Sequence, residues 1–381
     1  MLKTVFTLAL AAFFAVAAGT AGAQNLPIAE IPAALHPGFD HLLGLTARGA
    51  EFVPEKIAGV LDFAAAPQDP KRLLRADKRK GTTSAFYQFD LHTDLEQVLR
   101  LAFNPEIPAH ALMPSSVRMT RWVEIEGGES RLAGLADALK NSAGAPLVVR
   151  GVEHEEITPN LSTGTYFSYD LKRAMVLWRY QGRPVLISIS RQADRSSVGK
   201  QGLVLGRDND WDYFYSGIDG VTRMGLGWVR SYMYDSFSIL VFQQLGDSVR
   251  VAGFKWLSAG SLKLNLVNEH HIHEGLVRYA RDLREVLESS KLPLPAEVSR
   301  VLGEISKLAP DQLRERYRRH LDDLARRHGS DSALTRDKFA DLLHDPNWVL
   351  QLPRESLEAD LVLGYMKCLL GRTCLFPEAL R

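Results

Sequence analysis

The feature that most restricts this chain is a stripe of apolar residues between positions 265 and 289. Ile272, Leu276, Ala280, Leu283 and Leu287 recur at steps of four, four, three and four, with Val277 and Val286 beside them. That spacing puts one apolar face on an α-helix. Arg278, Arg281, Asp282, Arg284, Glu285 and Glu288 fall mainly on the other side, so the helix needs a partner surface to keep its stripe out of water. The strand-rich block just before it supplies one. The expected fold is α+β, an antiparallel sheet gripping a long amphipathic helix, with an extra C-terminal helical region.

The strands come from residues 147–257. Positions 147–152, 165–169, 174–180, 185–190, 228–234, 236–242 and 249–257 are rich in β-branched or aromatic residues, with Gly164, Gly182 and Gly246 among the turn residues between them. Arg179-Tyr180-Gln181-Gly182-Arg183 is the strongest hairpin signal. After it Val185, Ile187 and Ile189 alternate with Ser188 and Ser190, the pattern of a sheet with one buried face. Turns this short cannot hold crossover helices, so the pairing is antiparallel. Earlier, residues 85–89 and 119–125 read as strands, and Thr93 reads as the cap of a helix running to Ala102. After Pro293 and Pro295, helices are expected over 296–308, 311–328, 336–343 and 355–370. In the second of these Leu313, Tyr317, Leu321 and Leu324 form the stripe to be buried.

Residues 1–23 read as a signal peptide. Lys3 is followed by an apolar run over 5–18 and by the small residues Ala21-Gly22-Ala23, which predicts cleavage before Gln24 and export to a periplasm. No later stretch is apolar for long enough to span a bilayer. The rest divides into an N-terminal extension (24–80), the α+β domain (81–290) and the C-terminal helical region (291–381). Lys and Arg total 46 against 45 Asp and Glu, a net charge of +1, which argues against bulk attraction to nucleic acid. The basic run Lys71, Arg72, Arg75, Lys78, Arg79, Lys80 reads as a solvated linker. Cys368 and Cys374 flank Gly371; a left-handed turn there lets the chain double back, so a Cys368–Cys374 disulfide is expected in an oxidising compartment.

No catalytic signature stands out. His270, His273 and Glu274 share a helix face and are metal-capable, but acids and imidazoles in a first turn more simply accept from free backbone donors. Asp208, Asp210 and Asp212 alternate like calcium ligands, yet Tyr213 occupies the place of the required Gly, so they read as a polar hairpin tip. No cofactor is assigned. The aromatic content of the sheet suggests a ligand pocket instead. Its candidate lining is Tyr169, Trp178, Tyr180, Trp228, Tyr232 and Tyr234, with Ile272 and Leu276 from the helix and Arg179 and Arg191 as polar contacts. A filled core and a ligand cavity both remain open.

The element order over residues 82–289, the hairpin at 180–184 and the run AGFKWLSAGSLKLNLVNEHHIHEGLVRYARDLREVL resemble the helix-grip fold of the START and polyketide-cyclase-like superfamily. The resemblance implies a lipid or other hydrophobic small molecule held between sheet and helix, without catalysis. Residues before 82 and the helical tail after Pro293 are additions to that pattern. The alternatives are a metal-dependent envelope enzyme built on the 269–274 cluster, and a structural envelope protein.

Overall fold

Twelve strands pair in two sheets among the described residues of the computed structural model, which are 26–141, 145–161, 163–220, 230–332, 334 and 339–372. The expected signal peptide, Trp228 and Cys374 lie outside them. The strands are β1 (Ile28–Glu30), β2 (Leu73–Arg75), β3 (Thr83–Leu91), β4 (Val117–Ile125), β5 (Leu147–Ile157) and β6 (Thr165–Tyr166), then β7 (Ser168–Tyr180), β8 (Arg183–Gln192), β9 (Lys200–Leu205), β10 (Asp212–Asp219), β11 (Tyr232–Leu245) and β12 (Ser248–Gly260). Nine form one sheet in the order β1-β2-β3-β12-β11-β8-β7-β5-β4, and β10-β9-β6 form the other. Only β1 and β2 pair in parallel; every other neighbouring pair is antiparallel.

The hairpin expected at Gln181-Gly182 is present. Both residues have positive φ, 51° and 78°, the two-residue turn whose twist suits paired strands. Tyr180 faces Arg183 across it.

Both faces of the large sheet are covered, where the alternation in β8 had suggested one. Val185, Ile187 and Ile189 join Val241, Phe254 and Trp256 on a face packed by α1 (His36–Gly44) and α2 (Ala58–Ala65). Phe39 of α1 sits with its ring 4.8 Å from Phe254 and 5.5 Å from Trp256. Residues 26–80 are thus built into the fold, supplying the edge strand β1, its neighbour β2 and a helical layer. Nor is the basic run simply a solvated linker: Arg75 lies in β2, paired with Glu30 and Glu269. Arg79 lies over the Trp256 ring at 5.3 Å and pairs with Asp77.

The opposite face meets α3 (Leu95–Ala102), α4 (Glu129–Ala133), α5 (Leu135–Asn141) and the long helix α6 (Glu269–Leu287). Asp94, and not Thr93, caps α3, accepting from Gln97 N at 2.7 Å. On α6 the apolar stripe is buried along its length: Ile272, Leu276, Ala280, Leu283 and Leu287 are all under 10% exposed. Ile272 and Leu276 pack with Leu73 and Ala85, and the remaining three enter the larger core. Gly253 of β12 permits this close approach, since a Cβ there would lie 3.3 Å from Leu276 Cδ2 and 3.2 Å from Leu240 Cδ2.

The helix begins at Asn268, whose side chain accepts from His271 N at 3.0 Å while His271 Nδ1 accepts from Asn268 N at 3.3 Å. This reciprocal pair satisfies two backbone donors that the first turn leaves free. Asn268→Ala is expected to cost about 1 kcal/mol, a fall in Tm of roughly 2 °C. A thermal melt that does not move would remove the cap from this account.

Helices α7 (Pro295–Ser306), α8 (Pro310–His328), α9 (Phe339–Leu343), α10 (Pro346–Gln351) and α11 (Arg354–Leu369) complete the described fold. Three of them begin on proline, which lacks a donor where none is needed. Leu313, Tyr317, Leu321 and Leu324 of α8 are buried as expected. The C-terminal helices pack on the small sheet, with Phe214 5.9 Å from Phe339 and 5.4 Å from Trp348. Among the described residues no helix is long and apolar enough to cross a membrane.

Candidate functional site: a cavity with a charged floor

Strand register decides what faces the space under α6. The serine positions of β8, expected to face water, turn instead toward a cavity of about 1160 Å³. Its floor runs across the sheet: Lys255 of β12 is opposite Ser238 of β11, which is opposite Ser190 of β8, which is opposite Arg173 of β7. Glu153 and Glu155 of β5 and Tyr169 of β7 continue the polar end. Ile272, Leu276 and Tyr279 of α6 line it from the helix side, and Met119, Leu240 and Leu257 add apolar wall. Further lining comes from the 102–113 segment, α7 and α11.

The two ends of the floor differ in electrostatics. Arg173 pairs with Glu153 and lies 3.6 Å from Glu155, which also accepts from the Tyr169 hydroxyl. Burial raises the Glu153 carboxyl above its ordinary value, with Arg173 opposing. Burial likewise pushes the Tyr169 phenol well up, and Glu155 adds to this. Arg173 stays charged, because the two carboxylates outweigh the penalty of burial.

At the other end stands Lys255. Its hydrogen bond is to Ser236 Oγ at 2.8 Å, and among the described residues no carboxylate lies within ion-pairing distance. Burial lowers its pKa; Glu155 opposes this and Arg173 adds to it. Beside it the Ser190 and Ser238 hydroxyls are 2.6 Å apart. Ser188, 1% exposed, has no hydrogen-bond partner for its hydroxyl among the described residues. His110, also on the cavity wall, accepts from Thr120 N through Nδ1 at 3.1 Å, and its Nε2 has no partner among the described residues. Burial, helped by Arg118, pushes its pKa down to about 3, so at neutral pH it is an uncharged donor through Nε2.

No family model, curated protein or solved structure matches the chain. The reading of the site therefore rests on its own geometry.

Of the lining residues expected from sequence, Tyr169, Ile272 and Leu276 border the cavity. Trp178 and Tyr180 point to the other face of the sheet, where Trp178 packs on Phe52 at 5.8 Å and the Tyr180 hydroxyl donates to Asp62 at 2.9 Å. The parity of β7 requires this, since residues an odd number of positions from Tyr169 take the opposite face. Arg179 lies at the hairpin end, donating to the Gly182 and Leu139 carbonyls. Arg191 lies over the Phe237 ring, 5.7 Å away. Tyr232 carries Arg195 over its ring at 4.2 Å, and the Tyr234 hydroxyl accepts from Lys263 N. None of these six borders the cavity, and Trp228 is outside the described residues. Sequence reasoning followed aromatics and missed Glu153, Glu155, Arg173, Ser188, Ser190, Ser238 and Lys255. The available signal was a lysine inside an otherwise apolar run, residues 251–257 of β12.

The 269–274 cluster has structural uses. Glu269 pairs with Arg75, His271 closes the cap, and His273 packs edge-on to Tyr87 at 5.2 Å. Burial lowers the pKa of His273, and His270 adds to this. Among the described residues no three His, Cys, Asp or Glu side chains are grouped so as to hold a metal ion. The polar tip also proves to be tied down. Asp208 takes Arg278 and Arg281 of α6, both at 2.7 Å, and Asp212 is 1% exposed. Asp282 is buried too, accepting from Ser115 N at 2.7 Å and Trp211 Nε1 at 3.3 Å. Cys368 is not a free thiol; its expected partner Cys374 lies outside the described residues.

Proposed function

We propose that this is an exported protein that binds a lipid or other hydrophobic small molecule between its sheet and the long helix, in the manner of a helix-grip carrier, without a catalytic step. The observation that carries the reading is the cavity of about 1160 Å³, walled by Ile272, Leu276, Leu240 and Leu257 and closed below by a polar floor. Ligand sites are commonly concave, mainly apolar, and equipped with a few oriented polar groups. The N-terminal pattern over residues 1–23 supports export.

Native mass spectrometry and solvent extraction of protein purified without detergent are expected to yield a bound apolar molecule. The stripped protein is expected to enhance the emission of an apolar fluorophore such as anilinonaphthalene sulfonate. Leu257→Trp places bulk in the cavity and abolishes the enhancement while urea unfolding stays cooperative. No co-purified molecule and no emission change in the wild type would sink the reading.

A further inference from the structure

The floor is more particular than a hydrophobic carrier requires. An ammonium group taken out of water is costly unless a counter-charge accompanies it. Arg173 has two carboxylates beside it; Lys255, on the same face, has among the described residues only the Ser236 hydroxyl. An ammonium donates three hydrogen bonds, so two of its protons remain to be used. The Ser190–Ser238 pair can satisfy only one hydroxyl proton internally, which leaves the other available, and Ser188 contributes a hydroxyl with no partner among the described residues. These donors lie on three neighbouring strands, roughly 10 Å across at the usual strand spacing, beneath apolar wall formed by Leu240, Leu257 and Leu276.

We propose that this part of the floor is the head-group site of the cavity, and that it takes a single carboxylate, ion-paired to Lys255 and hydrogen-bonded by the serine hydroxyls. The occupant is then an amphipathic monocarboxylate with its apolar chain along α6. This rests on the carrier reading above and narrows its ligand. One unpaired cation matches one negative charge. A dianionic phosphate would bring an excess charge toward Glu155 and find Arg173 already engaged. Burial holds the Lys255 pKa below the usual amine value, and Glu155 offsets this only in part, so a carboxylate beside the ammonium would restore its charged form.

The test is calorimetric titration of the stripped protein with three probes of equal chain length: laurate, its primary amide and dodecyl phosphate. Laurate is expected to bind about ten- to a hundredfold more tightly than the amide, the range for a hydrogen bond to a charged group. Lys255→Met erases that preference by weakening laurate alone, and Lys255→Arg, which keeps the charge, retains part of it. The wild-type comparison stands even if a variant does not fold. Equal binding of laurate and amide overturns the head-group assignment and leaves the carrier reading standing. Tighter binding of dodecyl phosphate than of laurate overturns the choice of carboxylate. If none of the three binds and the fluorophore also fails, the carrier reading falls with it.

Discussion

Asp212→Ala is expected to lower the free energy of unfolding by about 3–5 kcal/mol at neutral pH, the cost of stripping one partner from a buried charge network. Asp212 is 1% exposed and accepts from Lys367 Nζ at 2.5 Å, from His328 Nε2 at 2.9 Å and from both terminal nitrogens of Arg327. It therefore fastens β10 to two C-terminal helices, α8 and α11. Without it Lys367, itself 6% exposed, is left beside Arg327 with no compensating carboxylate from β10. Burial alone would raise the Asp212 carboxyl, but the Arg327 hydrogen bond and the Lys367 charge outweigh burial and hold it well below the usual carboxylate range.

A depressed folded-state pKa gives stability that is complete above the unfolded value of about 4 and is lost as the pH falls through the lower folded one. The gap between wild type and variant in urea unfolding should therefore be constant near neutrality and close in strong acid. Adding Lys367→Met to Asp212→Ala should recover part of the loss, since the stranded charge goes with it. A variant within about 1 kcal/mol of wild type at pH 7 would contradict the network.

The second large effect concerns the segment before residue 81. Phe39→Ala is expected to cost about 3–5 kcal/mol in the same cooperative transition as the sheet. The side chain is 0% exposed and touches Phe254 and Trp256, both on the interior strand β12. Its removal leaves a hole against the middle of the sheet. A small early transition, with the main one unmoved, would show instead that α1 and α2 are a dispensable covering.

What was legible in the sequence was what short-range spacing encodes. The α6 stripe depends on repeats of three and four, and the β7–β8 turn on two adjacent residues, so both could be read directly. The α8 stripe likewise appeared where the period placed it. The role of residues 26–80 was not legible, because the surfaces that receive Phe39 and Leu61 come from strands far along the chain. The floor of the cavity was misread for a different reason. Alternation in β8 shows that Ser188 and Ser190 leave the apolar face, but it cannot distinguish bulk water from a cavity beneath a helix. Asp282 and Asp212 look like surface acids by type; only the arrival of Ser115, Trp211 and Lys367 makes them interior.

The pairing of β3 with β12 has a consequence for how the chain reaches its native state. Leu91 is held opposite Val249 and Thr83 opposite Leu257, so β3 cannot join the sheet until the whole of the intervening polypeptide has emerged. Contacts this remote in sequence slow folding, and β3 meanwhile offers an unpaired backbone edge to any neighbour. A polypeptide wired in this way completes its largest sheet late, after most of its length is available to pair.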